Sequence, residues 1–99
     1  MALYLVLLNF TDQGIRAVHD TPSRAAAFAD EAKKAGVKVR EQLWCIGGYD
    51  GALVVEAKDD ETVTAVMLGL CSLGNVRTTT LRAFDTAAIK SLVKKMPKR

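Results

Sequence analysis

Cys45-Ile46-Gly47-Gly48-Tyr49-Asp50-Gly51-Ala52-Leu53 lies between two strand-like runs. Glycine permits positive φ, and Asp-Gly is among the strongest short hairpin signals. The stretch therefore reads as the turn of a β-hairpin, with Gly48 expected at positive φ and the amphipathic ring of Tyr49 in the middle of the turn. A matching βα half is expected on either side.

Working outward, residues 37–46 alternate. Val37, Val39, Leu43 and Cys45 occupy one parity, and Lys38, Arg40 and Gln42 the other, which describes an edge strand. Trp44 interrupts the polar parity near the hairpin. Residues 52–57 are apolar on both parities except for Glu56, as expected of a central strand. Residues 2–10 have the same character. Leu3, Leu5 and Leu7 fill one parity, and Tyr4, Val6, Leu8 and Phe10 the other. Residues 75–84 are rich in Thr, carry Arg77 and Arg82, and read as the second edge.

The intervening segments carry helical signals. Thr11 caps a short stretch that includes Ile15 and Val18. Thr21-Pro22 starts a helix with Pro at its first position. Its stripe is Ala25, Phe28, Ala29 and Ala32, and Gly36 stops it. Asp59 caps a second helix, striped by Val63, Val66, Met67, Leu70 and Cys71 at i, i+3, i+4, i+7 and i+8 and ended by Gly74. Asp85 caps a last helix striped by Ile89, Leu92, Val93 and Met96 and stopped by Pro97. The order β-α-β-β-α-β-α is a twice-split βαβ unit. It predicts an α+β, ferredoxin-like βαββαβ fold with an extra C-terminal helix and an antiparallel sheet in the order 4-1-3-2.

Ninety-nine residues, 49% hydrophobic and 25% charged, bound the chain to one domain over residues 1–99. The formal net charge is +3. Lys90, Lys94, Lys95, Lys98 and Arg99 make the C-terminus basic, but no aromatic residue interleaves with them. We read a solvated helix face and expect no nucleic-acid partner. The apolar run at the N-terminus is too short for a membrane span and has no basic segment before it, so no membrane partner is expected and the location expected is cytoplasmic. Cys45 and Cys71 are expected to be free, buried thiols. With one His19 and no CxxC pair, neither a metal nor another cofactor is expected. No Ser-His-Asp order, HExxH, P-loop or GxGxxG is present. The glycine-rich stretch joins two strands instead of opening a helix, which argues against a phosphate cradle.

Four motifs resemble those of the GYD-domain family: Phe10-Thr11-Asp12-Gln13-Gly14, Pro22-Ser23-Arg24, Gly48-Tyr49-Asp50, and Gly74-Asn75-Val76-Arg77-Thr78-Thr79-Thr80 continuing through Leu81-Arg82-Ala83-Phe84. They run in order over nearly the whole chain. The resemblance implies a ferredoxin-like chain of the dimeric α/β-barrel type and supplies no reaction. Gly51, directly after Tyr49-Asp50, is a local difference.

The candidate ligand-binding residues are Asn9, Trp44, Tyr49, Asp50, Arg77 and Thr79; no catalytic residue is assigned. Tyr49 and Asp50 fit either a pocket mouth, with Asp50 as acceptor or base, or plain turn chemistry. Arg77 and Thr79 share one strand face and Arg82 takes the other. They suit either a bound carboxylate or phosphate or an ion pair at an edge or interface. Trp44 lines a cavity or plugs an interface. Asn9 is the one polar residue in an apolar strand, and if buried it needs partners. Three functions suit this pattern: an oligomeric small-ligand binding or sensing protein, a cofactor-free enzyme acting on a small organic substrate by proton transfer, and a structural assembly subunit. Both central strands are apolar on both parities, yet a ferredoxin-like sheet has helices on one face only. A homo-oligomer, at least a dimer, is therefore expected.

Overall fold

In the computed structural model, which describes residues 1–98, the two strands that are apolar on both parities lie at the centre of the sheet. β1 (Ala2–Phe10) pairs antiparallel with β3 (Gly51–Ala57) on one side and β4 (Val76–Ala83) on the other. β2 (Lys38–Trp44) adds to β3, giving the order β2-β3-β1-β4. This is the expected topology, with the two polar-patterned strands at the edges.

The helices are α1 (Asp12–Arg16), α2 (Thr21–Lys34), α3 (Asp60–Ser72) and α4 (Thr86–Lys94). A 3-10 turn at Val18–Asp20 links α1 to α2. Three caps act as expected. Thr11, Asp59 and Asp85 accept the backbone N–H of Gly14, Thr62 and Ala88 at 3.1, 2.9 and 2.8 Å. α2 begins one residue earlier than its cap signal suggested, with Asp20 preceding it and Thr21 already helical.

α2 and α3 cover one face of the sheet. There Tyr4, Val6, Leu53, Val55 and Ala57 pack with Ala32, Val37, Val63 and Met67 in a single buried cluster. Burying such side chains contributes about 1.5–3 kcal/mol for each large one. The alanine stripe of α2 lets that helix lie close to the strands. Leu3, Leu5, Leu7, Ala52 and Val54 point to the other face, where they are only half-buried.

Several expectations are corrected. The dimeric α/β-barrel implied by the resemblance is overturned, because the sheet is open and uncurled, with β2 and β4 as free edges. Curling needs bulges or glycine kinks repeated around the sheet. Among the described residues this one has a single register shift, between Val39 and Glu41, and its only strand glycine is Gly51 at the first position of β3. In the hairpin, positive φ falls on Gly47 (+134°) and not on Gly48. Cys45 is exposed instead of buried, whereas Cys71 is half-buried, and both thiols are free. The bulge is the cause. One extra residue flips the alternation, so Gln42 and Trp44 pair with Leu53 and Gly51 on the helix side while Leu43 turns to the open face.

The βα turn after β1 is locked onto the turn after α3. Thr11 donates its backbone N–H to Asn75 O at 3.0 Å and its hydroxyl to Gly74 O at 2.5 Å. Gln13 Nε2 donates to Leu73 O and Asn75 Oδ1, both at 3.0 Å. Gly74 holds φ +87°, and a Cβ on Gly14 would lie 1.9 Å from Asn75 O. Two of the four family-like motifs therefore meet at this junction.

Candidate hairpin-tip interaction site

β2 and β3 are joined by residues 45–50, and the strands hold this connection from both sides. Cys45 N donates to Asp50 O at 2.8 Å. Asp50 N donates to Leu8 O at 2.9 Å, and Asp50 Oδ2 accepts the Phe10 backbone N–H at 2.8 Å. The Asp50 carboxylate thus ties the hairpin to the end of β1, a different job from closing its own turn. With its base anchored to the central strand, the tip projects as a fixed element.

That tip is apolar and in water. Ile46 is fully exposed, Leu43 and Trp44 are about half exposed (54% and 50%), and Tyr49 is 41% exposed. Trp44 Nε1 donates to Thr21 Oγ1 at 3.4 Å, steadying the indole against the start of α2. Behind Trp44 lies an apolar cavity of about 80 Å3, lined by Phe10, Phe28, Leu53, Leu70 and Val76 among others. Gly51 opens the space: a Cβ there would stand 3.1 Å from Leu8 Cδ1. Gln42 reaches from β2 to α2, where its Nε2 donates to Ala25 O at 2.9 Å.

All six residues named from sequence lie at this end of the sheet, but on two faces. Trp44, Tyr49 and Asp50 belong to the hairpin. Asn9 is paired in register with Arg77, and Leu7 with Thr79, which puts Asn9, Arg77 and Thr79 together on the open face. Asn9 is exposed, so the partners that a buried Asn would require are not called for. Arg82 is on the opposite parity, as expected, with its guanidinium 5.5 Å from the Tyr4 ring centroid. His19 is exposed on the 3-10 turn, well away in sequence from the hairpin. Ile46 and Cys45 were missed as exposed residues. The available signal was an isoleucine placed directly before two glycines, where no strand can bury it.

Electrostatics at the site are mild. Arg24, near the cavity mouth, pairs with Asp20 at 3.6 Å. Among the described residues no group of three or more His, Cys, Asp or Glu could hold a metal ion. The two shifted pKa values lie elsewhere. Tyr4 donates to Asp60 Oδ1 at 2.5 Å, which raises the phenol above its usual value. Thr62 donates both its hydroxyl and its backbone N–H to Asp59, which holds that carboxyl below its usual value. Among the described residues no helix is long and apolar enough to cross a membrane.

Comparison with known proteins places this arrangement among others of its kind. A family model described as the GYD domain matches residues 4–93. A protein of Thermus thermophilus, "Glutamine synthetase and cystathionine beta-lyase binding protein", is 37% identical over 95 residues. The match covers 95% of this chain and 100% of that one. The crystal structure of TTHA0845, also from Thermus thermophilus, superposes with a TM-score of 0.56 at 28% identity, over 87% of this chain and 96% of that one.

Proposed function

The chain belongs to the GYD-domain family, and from that premise we propose that it is a protein-binding module that docks metabolic enzymes through its hairpin tip. The observation that carries this is the likeness, at 37% identity over the relative's full length, to a protein named for binding glutamine synthetase and cystathionine beta-lyase. The tip has the chemistry such docking uses. Aromatic side chains dominate the energetics of protein interfaces, and Trp and Tyr lose little conformational entropy when they are buried there. Trp44, Ile46 and Tyr49 present that chemistry on a hairpin whose base is hydrogen-bonded to the central strand.

The test uses the whole chain, immobilised, with glutamine synthetase and cystathionine beta-lyase purified from the same organism. Saturable binding of at least one enzyme is expected. Trp44→Ala and Ile46→Asp should each weaken it at least tenfold, as for anchors worth more than about 1.4 kcal/mol. Ile46 touches nothing that the fold needs, so Ile46→Asp separates binding from folding. Absence of binding to both enzymes, or binding unmoved by both substitutions, would overturn the proposal.

A second reading, small-ligand sensing, has the cavity behind Trp44 as its observation. At about 80 Å3 it is well under the roughly 300 Å3 at which ordinary small-molecule sites begin. It suits an occupant of a few heavy atoms whose arrival would shift the indole. Quenching of Trp44 fluorescence by such a compound would support this reading.

A further inference from the structure

The helical layer is not closed between its two helices. α2 packs chiefly on β2, and α3 on β3 and β4, so the sheet sets how far apart the helices stand. Among the described residues they make little contact with each other. The residues that face one another are too small to bridge the gap. Ala27, Ala32 and Ala35 line one wall, and Val66, Gly69 and Leu73 the other, around a groove of about 330 Å3. A Cβ on Gly69 would meet nothing within 4 Å. Arg24, Phe28 and Leu70 line both this groove and the smaller cavity behind Trp44, so the two spaces share a wall.

Two charged side chains interrupt the apolar lining, Arg24 and Glu31. Both belong to α2, two helical turns apart, which is about 10 Å along the axis. Arg24 lies 3.6 Å from Asp20, beyond hydrogen-bond reach, so its guanidinium donors are uncommitted among the described residues. Glu31 forms no ion pair with a described residue. We propose that the α2–α3 groove binds a small aliphatic zwitterion, with its carboxylate on Arg24, its ammonium on Glu31 and a methylene body between them. This is a second site, independent of docking by the hairpin tip.

Size, charge and solvation select this class of ligand. The volume falls within the roughly 300–1,000 Å3 of ordinary small-molecule sites. A guanidinium holds a carboxylate through two parallel N–H donors. A plain fatty acid would gain Arg24 but meet repulsion from Glu31, and an alkylamine would do the reverse. A peptide of the same length would set its amides against walls with no uncharged polar side chain, and an unpaired amide is costly to bury. Methylene groups gain from the same burial.

The test is an amide NMR titration of the full chain with ω-aminooctanoate, whose extended length matches the two-turn span. Saturable shifts are expected at Ala27 and Gly69, which line the groove but not the cavity behind Trp44. Octanoate and octylamine should each bind about fivefold more weakly, the scale of one partly exposed ion pair. Trialanine, with both charges but an amide body, should also bind more weakly. Arg24→Gln should weaken ω-aminooctanoate by the same factor and leave octylamine unchanged. Gly69→Leu should fill the groove and abolish binding with the melting temperature no lower, since leucine favours a helix more than glycine does. Absence of saturable shifts, or shifts confined to Trp44 and Gly51, would overturn the proposal. So would ω-aminooctanoate binding no tighter than octanoate, octylamine or trialanine, or a folded Gly69→Leu chain that binds it as wild type does.

Discussion

Gly14→Ala should be among the most damaging single-methyl additions in the molecule. The new Cβ would stand 1.9 Å from Asn75 O and 2.8 Å from the same residue's carbonyl carbon. Both are backbone atoms, so no side chain can swing aside, and the two turns must separate by more than about 1 Å to reach ordinary contact. That separation strains every bond of the junction: Thr11 N to Asn75 O, Thr11 Oγ1 to Gly74 O, and the pair from Gln13 Nε2. At about 1 kcal/mol net for each of these four bonds weakened, the loss is about 4 kcal/mol. For a chain of this size that corresponds to a melting temperature lower by about 16–32 °C. Urea unfolding followed by circular dichroism measures it through the midpoint at constant slope. A Gly14→Ala protein within about 0.5 kcal/mol of wild type would refute the claim that the two motifs form a tight backbone junction.

Other substitutions and conditions test separate parts of the structure. Gly47→Ala should cost about 1–3 kcal/mol because φ at Gly47 is +134°, whereas Gly48→Ala should be nearly neutral, both read from urea midpoints. Cys45 should react with a maleimide in the native protein at nearly the rate of a free thiol, with Cys71 at least tenfold slower until urea is added. Peptide mass spectrometry assigns the two sites. The raised Tyr4 pKa means that the folded state holds the phenolic proton more tightly than the unfolded chain does. Its contribution is fully present below the unfolded value of about 10 and is lost as pH rises through the folded value. The fall in stability above pH 10 should be shallower in Tyr4→Phe.

Period-two patterning carried most of the architecture. Residues 2–10 and 52–57, filled on both parities, had to be central, and the Lys/Arg/Gln alternation of residues 37–46 had to be an edge; the pairing register bears this out. What patterning could not carry was the bulge between Val39 and Glu41, since a one-residue slip leaves composition unchanged while exchanging faces. The misplacement of Cys45 follows from that slip. The positive φ at Gly47 was equally hidden, because three nearby glycines offer the same freedom and only the path of the chain chooses among them. The α4 stripe correctly announced an apolar face, but a stripe does not say which chain covers it. At the site, sequence drew attention to Tyr49 and Asp50 through their turn chemistry. The large hydrophobic side chain most open to solvent among the described residues, Ile46, carried no motif at all.

The exposed thiol of Cys45, flanked by Trp44 and Ile46, reports directly on whether the hairpin tip is the docking surface. Maleimide labelling of Cys45, followed by peptide mass spectrometry, should be run with and without saturating glutamine synthetase, and again with cystathionine beta-lyase. Docking through the tip predicts that the labelling rate of Cys45 falls at least tenfold with at least one enzyme and returns to the free rate when Ile46→Asp is introduced. A Cys45 rate unchanged by either enzyme would contradict the account.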